Sequence, residues 1–145
     1  MRLLASALIG SDYQERFQIR QVAGAFLALT TSVEDKYASS ARTTLVNLRS
    51  GKPRTLAAFH EEAMAWPQPI GTQAVNVIVT PGGRAGASVT ERASGNVRIV
   101  ALGADGGLQQ LDIGSPADIP PTELTLMSGR LSWLHAGQPR TSPLP

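Results

Sequence analysis

The sequence predicts an α+β fold, with N-terminal helices, one long or kinked and one short, covering one face of a C-terminal antiparallel β-meander of about six strands. Three observations carry this expectation. Apolar residues Ile19, Val22, Phe26, Leu29, Val33 and Tyr37 recur at steps of three and four, the spacing of one helical stripe. Past Pro67–Gly71 the pattern changes to short alternating runs separated by Gly- and Pro-rich turns. Several of those runs also match face to face when their pairing is worked out residue by residue. The chain reads as one domain, with a helical part at 1–66, a strand part at 72–135 and an extended tail at 136–145.

The N-terminal elements follow in order. Arg2 ahead of the apolar run Leu3–Ile9 resembles the start of a signal peptide. Charged residues follow at once without a clear A-x-A site, so the run is read as a short amphipathic helix. Ser11-Asp12-Tyr13-Gln14 has the spacing of a capping box and opens the main stripe. The stripe continues through Ala41, Leu45 and Leu48. Ser32-Val33-Glu34-Asp35 has the look of a fresh N-terminus, which leaves either one helix kinked near Thr30–Ser32 or two in succession. Gly51 and Pro53 end it. A third helix runs from a Thr55 cap to Trp66, turning Leu56, Phe59, Ala63 and Trp66 inward.

In the strand half, Ala74–Thr80 alternates Val75, Val77 and Val79 and turns through PGGRAG into Ala87–Arg92. Residues 97–102 and 108–113 admit two registers. A two-residue Asp-Gly turn sets Ile99 opposite Asp112. A three-residue loop at Ala104–Gly106 sets Ile99 opposite Leu111 and Arg98 opposite Asp112, satisfies both faces, and is the expected one. A Ser128-Gly129 turn sets Leu126 against Leu131 and Leu124 against Trp133. The tail, HAGQPRTSPLP, has too little apolar content to fold alone, and a neighbouring subunit is the expected support.

Composition and motifs bound the function. The chain has 42% apolar and 17% charged residues, a formal charge of +2 and no cysteine, which excludes disulfide frameworks, thiolate nucleophiles and Cys-ligated metal centres. No run of about 20 apolar residues is present to span a bilayer as a helix. His60-Glu61-Glu62 lacks the second histidine of a zinc-protease helix, because Met64 stands in that position. The only other histidine is His135, so no metal or catalytic set is assigned, and no cofactor. Gly51-Lys52 lacks the upstream glycine and the following hydroxyl of a phosphate loop. Arg42, Arg49, Lys52 and Arg54 form a basic stretch with no acid between Ala38 and Phe59, suited to a helix C-terminus or to an acidic partner. No aromatic residues interleave it, which weighs against nucleic acid.

With Arg84 at the tip of a glycine-rich loop and Arg140 in the tail, these cations are the candidate partner contacts. The expected function is that of a non-enzymatic structural or assembly subunit, self-associating or bound to a larger partner. A small component of a virus or phage particle, or of a bacterial surface or secretion assembly, is that kind of protein. The alternative is a small ligand- or anion-binding accessory module using Arg49, Lys52 and Arg54.

Overall fold

The computed structural model describes residues 7–8, 13–62 and 70–145, and it overturns the α+β expectation: the described residues form twelve β-strands and no helix. They are β1 (Ala7–Leu8), β2 (Tyr13–Ala23), β3 (Phe26–Asp35), β4 (Ala38–Asn47), β5 (Pro53–Glu62), β6 (Ile70–Val79), β7 (Ala85–Glu91), β8 (Val97–Leu102), β9 (Leu108–Gly114), β10 (Thr125–Met127), β11 (Arg130–His135) and β12 (Gln138–Pro143). Strands β1 to β9 follow one another across one antiparallel sheet, and β10–β12 form a second. Among the described residues only two pairs, Phe59–Gly71 and His60–Ile70, join β5 to β6. The long sheet therefore folds over at that point.

Three layers result. One apolar cluster, including Ala28, Leu45, Leu56, Val77, Val89 and Leu102, lies between β2–β5 and β6–β8. A second, including Ile99, Ile119, Leu124, Leu131, Trp133 and Leu144, lies between the middle layer and β10–β12. Strand β7 is buried from Ala85 to Val89 because both of its faces are covered, and its small residues let the layers approach closely. Among the described residues no helical layer covers the meander; other strands do.

The helical spacing fails at a turn. Gly24, at φ 57°, and Ala25 connect β2 to β3, so Val22 and Phe26, successive members of the expected stripe, stand on different strands. Within each strand the side chains alternate instead, with Leu27, Leu29, Thr31 and Val33 on one face and Phe26, Ala28 and Thr30 on the other. The many β-branched residues of 19–46 fit this half-buried surface better than a helix. Neither the kinked helix nor the helix pair forms. Ser32–Asp35 leads into a turn in which the Asp35 carboxylate accepts from the Tyr37 and Ala38 amides, each at 2.7 Å. Gly51, at φ 68°, closes the β4–β5 hairpin with its amide on Asn47 O at 2.7 Å. The third helix is β5, whose Leu56 and Ala57 both turn into the core at a bulge opposite Thr43–Thr44. Ser11 and Asp12 of the capping box, and residues 63–66, lie outside the described residues.

Polar side-chain bonds fix the layers to one another. The Arg54 guanidinium donates to Gly103 O (2.7 Å), Ala104 O (3.2 Å) and Gly83 O (2.5 Å), and it lies over the Phe26 ring. A bulge between Ile19 and Gln21 lets Arg20 reach Val75 O, while the Gln21 side chain accepts from the Val79 amide at 2.7 Å. On the opposite side of the middle layer, buried Ser88 donates to Pro121 O. The Asn76 amide group donates to Thr122 O (3.3 Å) and Leu124 O (3.0 Å), holding the strap that leads into β10.

The strand half keeps closer to expectation. The β10–β11 hairpin pairs Leu126 with Leu131 and Thr125 with Ser132 around Ser128-Gly129, both at positive φ. Leu124 stands outside β10 but shares a core with Trp133. The tail is itself a strand: β12 pairs with β11 from Arg130–Pro143 to His135–Gln138, and Leu144 beyond it is buried. Within the chain, the tail is paired with its own preceding strand.

Candidate functional site

The β8–β9 hairpin uses both registers considered for it. Near the turn Leu102 pairs with Leu108 and Val100 with Gln110, in the expected alignment. A bulge at Leu111 then shifts the pairing by one, so Ile99 faces Asp112 and Arg98 faces Ile113. The expected Arg98–Asp112 pair does not form, and Arg98 is bonded to Glu91 instead. The consequence for Asp112 is larger, because the shift turns its carboxylate towards the β10–β12 sheet. There Oδ2 accepts from Trp133 Nε1 at 2.7 Å and meets His135 Nδ1 at 2.8 Å, while Oδ1 accepts from the Ile113 amide at 2.9 Å.

Burial raises the Asp112 carboxyl's affinity for a proton. The bonds from Trp133, His135 and Ile113 together outweigh it and hold the group below its ordinary value of 3.8. Glu91 is held below its ordinary 4.5 chiefly by the Ser94 hydroxyl, against burial, with help from Arg98. Since both folded-state values are depressed, the stability they contribute is complete above the ordinary carboxylate values and is lost as pH falls through the folded ones. The urea midpoint should therefore hold steady down to about pH 5 and fall below it. In Asp112→Asn the fall should be shallower; the same acid profile in that variant would remove Asp112 from this account.

Asp112, Trp133, His135, Arg140, Thr141 and Ser142 line a cleft of about 400 Å³ between β9 and β11–β12. Arg140 pairs with Trp133 across β11–β12, which puts it on the same face and one step along from His135. An aspartate orienting a histidine through Nδ1 is the base half of a catalytic triad. Among the described residues no hydroxyl, thiol or amine is hydrogen-bonded to the other ring nitrogen, Nε2. No three His, Asp or Glu side chains gather into a metal-binding group among the described residues.

A second candidate is the outer face of β2–β5. Register sets Val22, Leu27, Val46 and Pro53 in one row, Ile19, Leu29, Thr44 and Thr55 in the next, then Phe17, Thr31, Arg42 and Ala58. The last row holds Glu15, Val33, Ser40, His60 and Ile70. Val22 is 56% exposed, Ile19 39% and Ile70 69%. Part of this face is dished into a hollow of about 670 Å³ over Val33, Arg42, Ala58 and Ile70. His60 stands at its rim, 3.3 Å from Glu62.

The expected cations do not form one patch. Arg42 lies on the outer face just described. Arg49 and Lys52 are exposed in the β4–β5 turn, while Arg54, their neighbour, is spent on three backbone carbonyls. Arg84 is exposed in the β6–β7 turn. Arg140 joins the cleft beside β9, with two residues that sequence reasoning left unassigned or apart, Asp112 and His135. The alignment rejected for the far end of the hairpin was the signal that could have united them. Compared with protein families, curated proteins and solved structures, the chain matches none.

Proposed function

We propose that this chain is a non-enzymatic assembly subunit that binds a second copy of itself through the outer face of β2–β5. The observation that carries the reading is the set of partly exposed apolar side chains on that face, Val22, Leu27, Val46, Ile19 and Leu29 together at one end of it, covered by nothing among the described residues. Contiguous apolar surface of this kind marks interaction sites. The chain already joins its layers by setting one apolar sheet face on another, at both of its cores. A second copy offers the same kind of surface.

Arg42 is the cation within the rows, and Glu15 on β2 and His60 on β5 stand in one row, which Ile70 continues. A two-fold axis running along the strands, between β3 and β4, brings Glu15 of each copy opposite His60 of the other. Val22, Leu27, Val46 and Pro53 of each copy then meet across the axis.

Light scattering over a concentration series tests this. The native chain should rise in mass with concentration, and Val22→Glu should remain monomeric with the same far-ultraviolet circular dichroism, because that side chain is exposed in the single chain. A native chain that stays monomeric at every concentration, or a Val22→Glu variant that associates equally well, would sink the proposal.

A further inference from the structure

The cleft beside β9 offers a second kind of contact, on a layer remote from the outer face of β2–β5. We infer that it binds the oxyanion of a small ligand, a carboxylate or phosphate group, held by Arg140 with His135 as a side wall.

The argument begins with charge. Asp112 is the acid lining the cleft, and its oxygens are already engaged by Trp133, His135 and the Ile113 amide. Its charge is answered within the protein. Arg140 is the opposite case: exposed on an edge strand, it has no ion pair or side-chain hydrogen bond among the described residues. A guanidinium with its donors uncommitted matches the two oxygens of a carboxylate or phosphate.

Rigidity supports the same reading. The Asp112 bond to Nδ1 fixes the His135 ring, which leaves Nε2 as the ring's uncommitted nitrogen. Trp133 Nε1 holds the same carboxylate from beneath, and the indole is only 6% exposed. The wall of the cleft is therefore set before any ligand arrives, so little ordering is required on binding. Thr141 and Ser142 add hydroxyl groups to the lining. A volume of about 400 Å³ suits a small molecule.

Trp133 also supplies the reporter. The chain has two tryptophans, so a Trp66→Phe background leaves the indole bound to Asp112 as the only one. Its fluorescence should change saturably on titration with inorganic phosphate, with acetate, or with both. A response to phosphate alone assigns phosphorylated ligands, and a response to acetate alone assigns carboxylic acids. In Arg140→Gln the apparent dissociation constant should rise at least about tenfold, the scale of one lost charge-assisted pair. Arg16→Gln, exposed on β2 in another layer, should leave it unchanged. Absence of a saturable response to either anion, or equal binding by Arg140→Gln, overturns the inference. Self-association through β2–β5 is read by mass and stands or falls separately.

Discussion

A chain ending at Ala136 should melt roughly 10 °C below the full-length protein, because the tail is the third strand of a sheet. Strand β12 makes six residue pairs with β11, and Leu144 beyond it is 7% exposed in the second core. Burying one leucine side chain contributes about 1.5–3 kcal/mol. Removing β12 also uncovers the flank of β11, which carries Leu131 and Trp133. A total near 3 kcal/mol, at about 3 °C for each in a chain of this size, gives the expected shift. Scanning calorimetry on the two chains measures it, and Leu144→Ala should reproduce about 2 kcal/mol of the loss without shortening the chain. An unchanged melting point together with loss of self-association would show that a neighbouring copy, and not β11, supports the tail.

Proline explains why this strand was hard to see. Pro139 and Pro143 interrupt an already polar run, and proline has no amide to give to a ladder. Both stand on an edge strand paired on one side among the described residues, the place where a sheet tolerates proline. The β11–β12 turn carries Ala136 at φ 52° before Gly137 at φ 74°. Alanine at such a position is a weak turn signal, whereas Ser128-Gly129 in the preceding hairpin was legible and its register was read correctly.

The same physics separates what could be read in the first half from what could not. Leu56-Ala57-Ala58-Phe59-His60-Glu61-Glu62 consists largely of good helix formers, yet it is a strand because β4 and β6 take its backbone bonds and the core takes Leu56 and Ala57. Propensity is a weak prior against that much tertiary contact. The stripe from Ile19 to Val33 misled for a different reason: its steps of three and four were counted across the Gly24–Ala25 turn. Counted within β3 alone, the period is two. The candidate cleft was hidden by a single residue, the bulge at Leu111, which moves Asp112 from the Arg98 side to the Trp133 side.

Gly86 and Leu131 should prove strongly coupled, and the sign of that coupling follows from how the second and third layers meet. Leu131 is fully buried with its side chain lying on the backbone of Gly86. A Cβ at position 86 would stand 2.5 and 2.6 Å from the two Leu131 methyl carbons. Leu131 cannot swing aside, because it is packed in a core with Ile99, Ile119 and Trp133. Gly86→Ala should therefore overpack the core and cost about 1–3 kcal/mol. Leu131→Ala should open a cavity over the same glycine and cost about 2–5 kcal/mol. In the double variant the new methyl enters the space that the leucine vacates, so the two losses should fall short of their sum by about 1–3 kcal/mol. Chemical denaturation of the four proteins closes the cycle. Additive losses would mean that the β10–β12 sheet does not rest on β7 at Gly86, and the stacking of the layers would need to be redrawn.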